Sequence, residues 1–173
     1  MRVLPGALAA LLICVGFVAG CSSSGNGRAT SSPAPRSSAV VPRLDRAAYK
    51  QVLAQISHEE DRAQAAIQRA LHAKGVAVLR QGLAAFAADQ TRVAARLSAV
   101  TAPPDAQQAN AALARAFAAN ARAVRAVAAQ LAGVKTMPAA LRLLNSAKAP
   151  QHAGQAIDAA LGRLQRLGYT HAS

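Results

Sequence analysis

The chain has 173 residues, with 20 basic and 7 acidic side chains and a formal net charge of +13. That balance favours anionic partners such as phospholipid headgroups, wall polymers or nucleic acid. Two cysteines, two tyrosines, three phenylalanines and no tryptophan exclude a disulfide scaffold and a platform of rings for stacking bases or sugars.

The chain starts with one basic residue, Arg2, followed by an apolar run from Val3 to Val18 that Pro5, Gly6 and Gly16 interrupt. This run is shorter than the ~20 residues that a helix needs to cross a bilayer, so it reads as a removable signal. It ends in Val18-Ala19-Gly20-Cys21, followed by Ser and Gly. This tetrapeptide resembles the lipobox of bacterial lipoprotein signal peptides. The resemblance implies that residues 1–20 are removed and that Cys21 becomes the first residue, carrying diacylglycerol. It also implies an exported protein, anchored by lipid to the cell membrane and facing away from the cytoplasm. An ordinary secretory signal with an incidental Cys21, or an uncleaved anchor, are the alternatives.

Cysteine usage agrees with the lipobox. Cys14 lies in the apolar run and leaves with it, so the mature chain keeps one thiol. A single thiol forms no internal disulfide, whereas a thioether to lipid explains its presence. Each buried methylene contributes about 0.8 kcal/mol, so two or three acyl chains hold a protein on a membrane where one is marginal.

Residues 21–43 are rich in Ser, Gly, Pro and Ala and cannot build a core. They are expected to be a disordered tether with a reach on the order of 25 Å. From Leu44 the composition turns to Ala, Leu, Val, Arg and Gln, with apolar residues three or four apart, the helical period. Helix 1 is expected over about 44–73, with Tyr49, Leu53, Ile56, Ala63, Ile67 and Ala70 on one stripe and a stop at Lys74-Gly75. Helix 2 spans about 76–100, with Val76, Leu79, Leu83, Phe86, Val93, Leu97 and Val100 on its stripe. Pro103-Pro104 closes it, because proline disfavours helix in the residue before it.

Helix 3 starts near Pro104 or Asp105, where proline and a carboxylate suit a first turn. It runs to about Ala132 with Leu113, Phe117, Val124, Val127 and Leu131 as its stripe. Gly133 to Pro138 reads as a loop. A short helix over about 138–147 precedes Pro150, and a last one over about 151–167 follows it with Ile157, Leu161, Leu164 and Leu167. No segment alternates as a strand would. Three long helices and a shorter partner on short connections argue for an all-α fold. The form expected is an antiparallel up-and-down bundle of about four helices over residues 44–173, folding as a monomeric domain. The segment Leu97 to Pro104 resembles the Leu-x-x-Leu/Val-x-x-Pro-Pro turn of uncharacterised actinobacterial-type Ala/Arg-rich helical lipoproteins, which implies a helix–turn–helix and no activity.

Few residues carry chemistry. His58-Glu59-Glu60-Asp61 is the densest polar cluster. A zinc-protease helix needs a second histidine four residues after the first, and Arg62 stands there, so the cluster reads as a solvated charged turn. No Glu-x-x-His pair, phosphate-binding Gly loop or Cys-x-x-Cys-His site occurs. No metal and no cofactor other than the acyl lipid on Cys21 is expected.

Glu60, Gln90 and Asn120 each interrupt an apolar stripe near the middle of a helix. The blander arrangement places them at stripe edges, snorkelling to water. The sharper one is a buried polar layer that fixes register or holds a small polar ligand, and it requires every buried group to be paired. Arg115, Arg122 and Arg125 offer a basic face on helix 3. Removing Arg2 still leaves a net charge of +12, suited to anionic lipids or wall polymers. An exported location argues against nucleic acid. The expected function is a membrane-tethered, non-enzymatic interaction module with a basic surface. The alternative is a small-ligand or metal-binding bundle built on the mid-height polar residues.

Overall fold

The computed structural model describes residues 43–170. The segment expected to be a signal, Cys21 and nearly all of the expected tether lie outside the described residues. Every regular element described is helical: α1 Arg46–His72, α2 Val76–Ala99, α3 Gln107–Gln130, a 3₁₀ turn Leu131–Gly133, α4 Met137–Ser146 and α5 Lys148–Arg166.

Local chemistry explains most of the boundaries. Asp45 caps α1, its carboxylate accepting from the Ala48 amide at 2.7 Å, which satisfies one of the orphan N–H groups of the first turn. Arg69 and His72 lie in the last turn of α1, where cations suit the negative end of the helix dipole. The stop at Gly75 works differently from the expectation. Gly75 is extended, with φ −142°, and serves as the N-cap of α2, while α1 ends at Ala73. No left-handed glycine closes α1.

Helix 3 begins two residues later than read from sequence, because Pro104 to Ala106 form a turn closed by Ala106 N–H donating to Pro103 O at 2.9 Å. The described residues hold five α-helices where about four were expected. The short helix expected over about 138–147 is α4, ten residues long, and it buries only Ala140 and Leu144. Only the extended residue Ala147 separates it from α5, and α5 starts at Lys148, ahead of the proline expected to precede it. Pro150 fits inside the first turn because that turn needs no donor there.

Contacts between distant residues set the helix directions. Ala70 meets Gly82, Glu60 bonds to Gln90, and Gln55 bonds to Arg96. Numbers fall along α1 as they rise along α2, so the two run antiparallel. Asn120 bonds to Gln90 and Asn110 to the Leu97 carbonyl, so α2 and α3 are antiparallel as well. Helix α5 packs on α3. Its far end returns to the start of α1, where Tyr169 stacks edge-on against Tyr49 with ring centroids 5.2 Å apart.

Most of the stripe residues read from sequence are buried. All six stripe residues of α1 have their side chains in the interior, as do Leu79, Leu83, Val93 and Leu97 of α2 and Leu113, Phe117, Val124, Val127 and Leu131 of the α3 region. Val76, Phe86, Val100, Leu161 and Leu167 are only partly covered.

The core falls into two apolar clusters. One gathers Tyr49, Leu53, Ile56, Val93, Leu97, Leu113, Phe117, Ile157 and Leu164. The other gathers Ile67, Leu79, Leu83, Val124, Val127, Leu131 and Leu144. Along α1 the break falls between Ile56 and Ile67, along α2 between Ala87 and Val93, and along α3 between Phe117 and Val124. Glu60, Gln90 and Asn120 occupy those three gaps.

Candidate functional site

The three mid-height residues form one hydrogen-bonded chain. Asn120 Nδ2 donates to Gln90 Oε1 at 3.0 Å, and Gln90 Nε2 donates to Glu60 Oε2 at 2.6 Å. Gln90 is 1% exposed and Asn120 9%. Gln90 and Asn120 therefore lie inside rather than at a stripe edge reaching water, while Glu60 stays partly exposed. A helix stripe is wide enough for a polar residue at its centre, provided that neighbouring helices bring a partner to the same height. Here α2 supplies the central amide, which accepts from α3 and donates to α1.

The layer is not fully paired. Glu60 Oε1 and Ser57 Oγ are both buried without a hydrogen-bond partner among the described residues. Both residues line a cavity of about 20 Å³ that Leu113, Phe117 and Leu161 close on the apolar side. These surroundings push the Glu60 carboxyl up to about 7. Burial is the main cause, because a carboxylate loses its hydration there. The Gln90 bond pulls the other way, and the charges of Glu59 and Asp61 add to the rise.

On its other side Glu60 borders a cleft of about 530 Å³ between α1 and α2. Glu59 and Arg62 of α1 and Asp89, Arg92 and Arg96 of α2 share its walls. Arg96 bridges to Glu59 at 2.8 Å and bonds to Gln55. Arg92 pairs with Asp89. Arg62 donates through Nε to the His58 carbonyl at 3.2 Å, and among the described residues no carboxylate lies within ion-pair range of it. The cluster His58 to Asp61 thus splits: His58 and Asp61 are exposed, Glu59 pairs across to α2, and Glu60 turns inward. Among the described residues no three His, Cys, Asp or Glu side chains converge as a metal would require.

A second polar network was missed from sequence. Tyr49 Oη donates to Asn110 Oδ1 at 3.0 Å, and Asn110 Nδ2 donates to the Leu97 carbonyl at 2.9 Å. Burial, and then the nearby Tyr169, raise the Tyr49 phenol well above its ordinary value. Asn110 lies three residues before Leu113 on the α3 stripe, the same spacing by which Asn120 follows Phe117. That spacing was the available signal. Asp105, read as a helix-end carboxylate, instead accepts from Tyr169 Oη at 2.7 Å and faces Arg46 at 3.9 Å. Arg46 also lies over the Tyr169 ring, 4.5 Å from its centroid, and donates to the Leu167 carbonyl.

The helix 3 arginines are all exposed. Arg125 leans toward α2, donating to Thr91 Oγ1 at 3.2 Å. Arg115 borders shallow grooves toward both the α2–α3 turn and α5. No helix among the described residues is long and apolar enough to cross a membrane. Comparison with protein-family models, with curated proteins and with solved structures finds no match to this chain.

Proposed function

We propose that the protein is a lipid-anchored, non-enzymatic binding module outside the cytoplasm, and that its domain is an antiparallel up-and-down bundle holding a small polar ligand between α1 and α2. The observation that carries this reading is the α1–α2 cleft of about 530 Å³, at whose edge the chain Asn120–Gln90–Glu60 ends on a carboxyl with no ion-pair partner among the described residues. The cleft volume lies within the ~300–1,000 Å³ usual for small-molecule sites. Anchoring rests on Val18-Ala19-Gly20-Cys21. The module is monomeric and carries no cofactor beyond the acyl lipid.

A ligand-observed NMR screen of small polar molecules against the full chain tests the binding role. Saturable binders are expected, and they should be lost in Glu60→Leu, which removes the carboxyl and keeps an apolar side chain. Binders indifferent to that change would move the site elsewhere. Intact-mass analysis tests the anchor. The membrane fraction should contain a chain beginning at acylated Cys21, and Cys21→Ala should leave it unlipidated.

A second reading keeps the surface role. Arg115, Arg122 and Arg125 point to solvent from one helix and suit anionic lipids or wall polymers. Binding to anionic vesicles should then exceed binding to neutral ones and weaken as salt screens the charges. Equal binding to both kinds of vesicle would sink it.

A further inference from the structure

We propose that the half of the domain farther from the start of α1 is a docking surface for an anionic polymer outside the membrane, a phosphodiester chain whose successive charges meet exposed arginines and lysines. This deepens the surface reading above and rests on it, naming the place and the partner.

The layer of Glu60, Gln90 and Asn120 divides the charges of the domain unequally. Beyond it lies the cluster of Ile67, Leu79, Val124 and Leu144. Around that cluster stand Arg69, Lys74 and Arg80 at the α1–α2 turn, Arg122 and Arg125 on α3, and Lys135, Arg142 and Lys148 about α4. All eight are exposed, and no acidic residue accompanies them. The 7 acids of the chain are Glu59, Glu60, Asp61 and Asp89 at the layer, and Asp45, Asp105 and Asp158 on the Tyr49 side. Nine cations of the described residues share that part of the domain with them and bring it close to neutrality. Of the α3 arginines, Arg122 and Arg125 belong to the basic half and Arg115 does not.

Pairing follows the same division. The ion pairs among the described residues are Arg46–Asp105, Arg92–Asp89 and Arg96–Glu59, and none reaches the basic half. Arg125 donates only to the neutral Thr91 hydroxyl. A general richness in arginine would load both halves alike and would not sort the acids. Like charges gathered without counter-charges repel one another and weaken the compact state, a cost that an anionic partner relieves.

The side chains point to phosphate and to a polymer. Arginines are in the majority, and a guanidinium grips a phosphate through two parallel hydrogen bonds. The cations are spread over all five helices and their connections, so one phosphate meets few of them and a chain of phosphates meets several at once.

Position favours such a polymer over the anchoring membrane. The expected tether joins the domain at the opposite end, where the Leu44 amide donates to the Thr101 carbonyl at 3.0 Å. Helix α1 has 27 residues and is about 40 Å long at 1.5 Å per residue, against a tether reach on the order of 25 Å. Setting the basic half end-on against the membrane would stretch the tether past the length of α1. A domain lying flat would press its acid-bearing half onto the same lipid.

Calorimetry on the full chain tests the proposal, with poly(glycerol phosphate), glycerol 3-phosphate and phosphatidylglycerol vesicles as probes. The vesicles are read against phosphatidylcholine vesicles to remove apolar adsorption. The polymer should bind at least about tenfold more tightly per phosphate than the other two, and its affinity should fall with added salt. Two triple variants with the same change of charge separate place from net charge. One combines Arg80→Gln, Arg122→Gln and Arg142→Gln in the basic half. The other combines Arg43→Gln, Arg163→Gln and Arg166→Gln in the opposite half. All six side chains are exposed, so both variants should fold, as a thermal melt will verify. The first should lower polymer affinity at least about tenfold, and the second no more than about threefold. Equal losses in the two triples would overturn the placement and leave a general basic surface standing. Vesicles bound as tightly as the polymer would overturn the polymer in favour of the membrane. No polymer binding would overturn the proposal outright, and if the anionic vesicles also go unbound, the surface reading falls with it.

Discussion

The two buried polar networks of this domain are built from similar residues and end differently. At the Tyr49 end, Asn110 spends both side-chain ends on protein partners, the Tyr49 phenol and the Leu97 carbonyl. At mid-height, Asn120 and Gln90 are likewise bonded, but their chain ends on an ionisable Glu60 with one unpaired oxygen and an unpaired Ser57 beside it. A closed network of neutral groups holds helices in place at no residual cost in unsatisfied atoms. An open network ending on an acid keeps an unmet demand for a proton or a cation. The difference separates a network closed among neutral groups from one whose pairing depends on the protonation of an acid.

The largest effect should come from breaking the closed network. Asn110→Ala removes two hydrogen bonds and leaves the Tyr49 hydroxyl and the Leu97 carbonyl buried without partners. About 3 kcal/mol of stability should be lost, from roughly 1–3 kcal/mol for each stranded group. Urea denaturation measures this directly. A loss below 1 kcal/mol would mean that the Tyr49 end tolerates open groups as well, and the contrast would dissolve.

The open network should reveal itself through pH. The Glu60 carboxyl lies at about 7 in the folded chain against an ordinary 4.5, so the folded state holds its proton more tightly than the unfolded one. Stability should therefore be highest below about 4.5 as far as this group is concerned, fall as pH rises through 7, and then level. Roughly 2 kcal/mol is at stake, taking the shift at somewhat less than its full value for partial hydration. Glu60→Gln should flatten the slope, and Glu60→Leu should be neutral or stabilising above pH 7 because it removes a desolvation cost. An NMR titration of Glu60 near 4.5 would end the idea of an open network.

A smaller effect tests what sets the seam between α1 and α2. A Cβ built on Gly82 would stand 2.4 Å from Ala70 Cβ, so these helices approach closely only because residue 82 has no side chain. Gly82→Ala gains about 1 kcal/mol in helix propensity and incurs roughly 1–3 kcal/mol from overpacking. A net loss of about 1 kcal/mol is expected in the melt, and Ala70→Gly in the same chain should recover it. If that contact also sets the cleft, widening it should loosen the Gln90–Glu60 bond and leave the Asn110 network untouched. The slope of stability with pH should then change while the effect of Asn110→Ala does not.

Much of this was legible from sequence. The spans of α1, α2 and α3 follow from apolar spacing and from Pro103-Pro104, and the stripe residues of α1 are all buried. The division between α4 and α5 was harder to place. Pro150 looked like a barrier, yet a first turn accepts it. Asp105 had two roles open to it, and the one it takes depends on Tyr169, 64 residues away.

The sequence by itself determined that the fold is helical, which stripes are apolar, and that Glu60, Gln90 and Asn120 interrupt them at mid-height. These are local properties, because a helix closes its hydrogen bonds within four residues and its faces repeat with a fixed period. Only the tertiary structure decided that the three residues meet, that Arg96 takes Glu59 and leaves Glu60 to Gln90, and that Ser57 is sealed beside them. Those outcomes depend on how far each helix rotates and slides against its neighbours. That is settled by side-chain packing between segments far apart in the chain, and a small rotation moves a polar residue from the edge of a stripe to the interior.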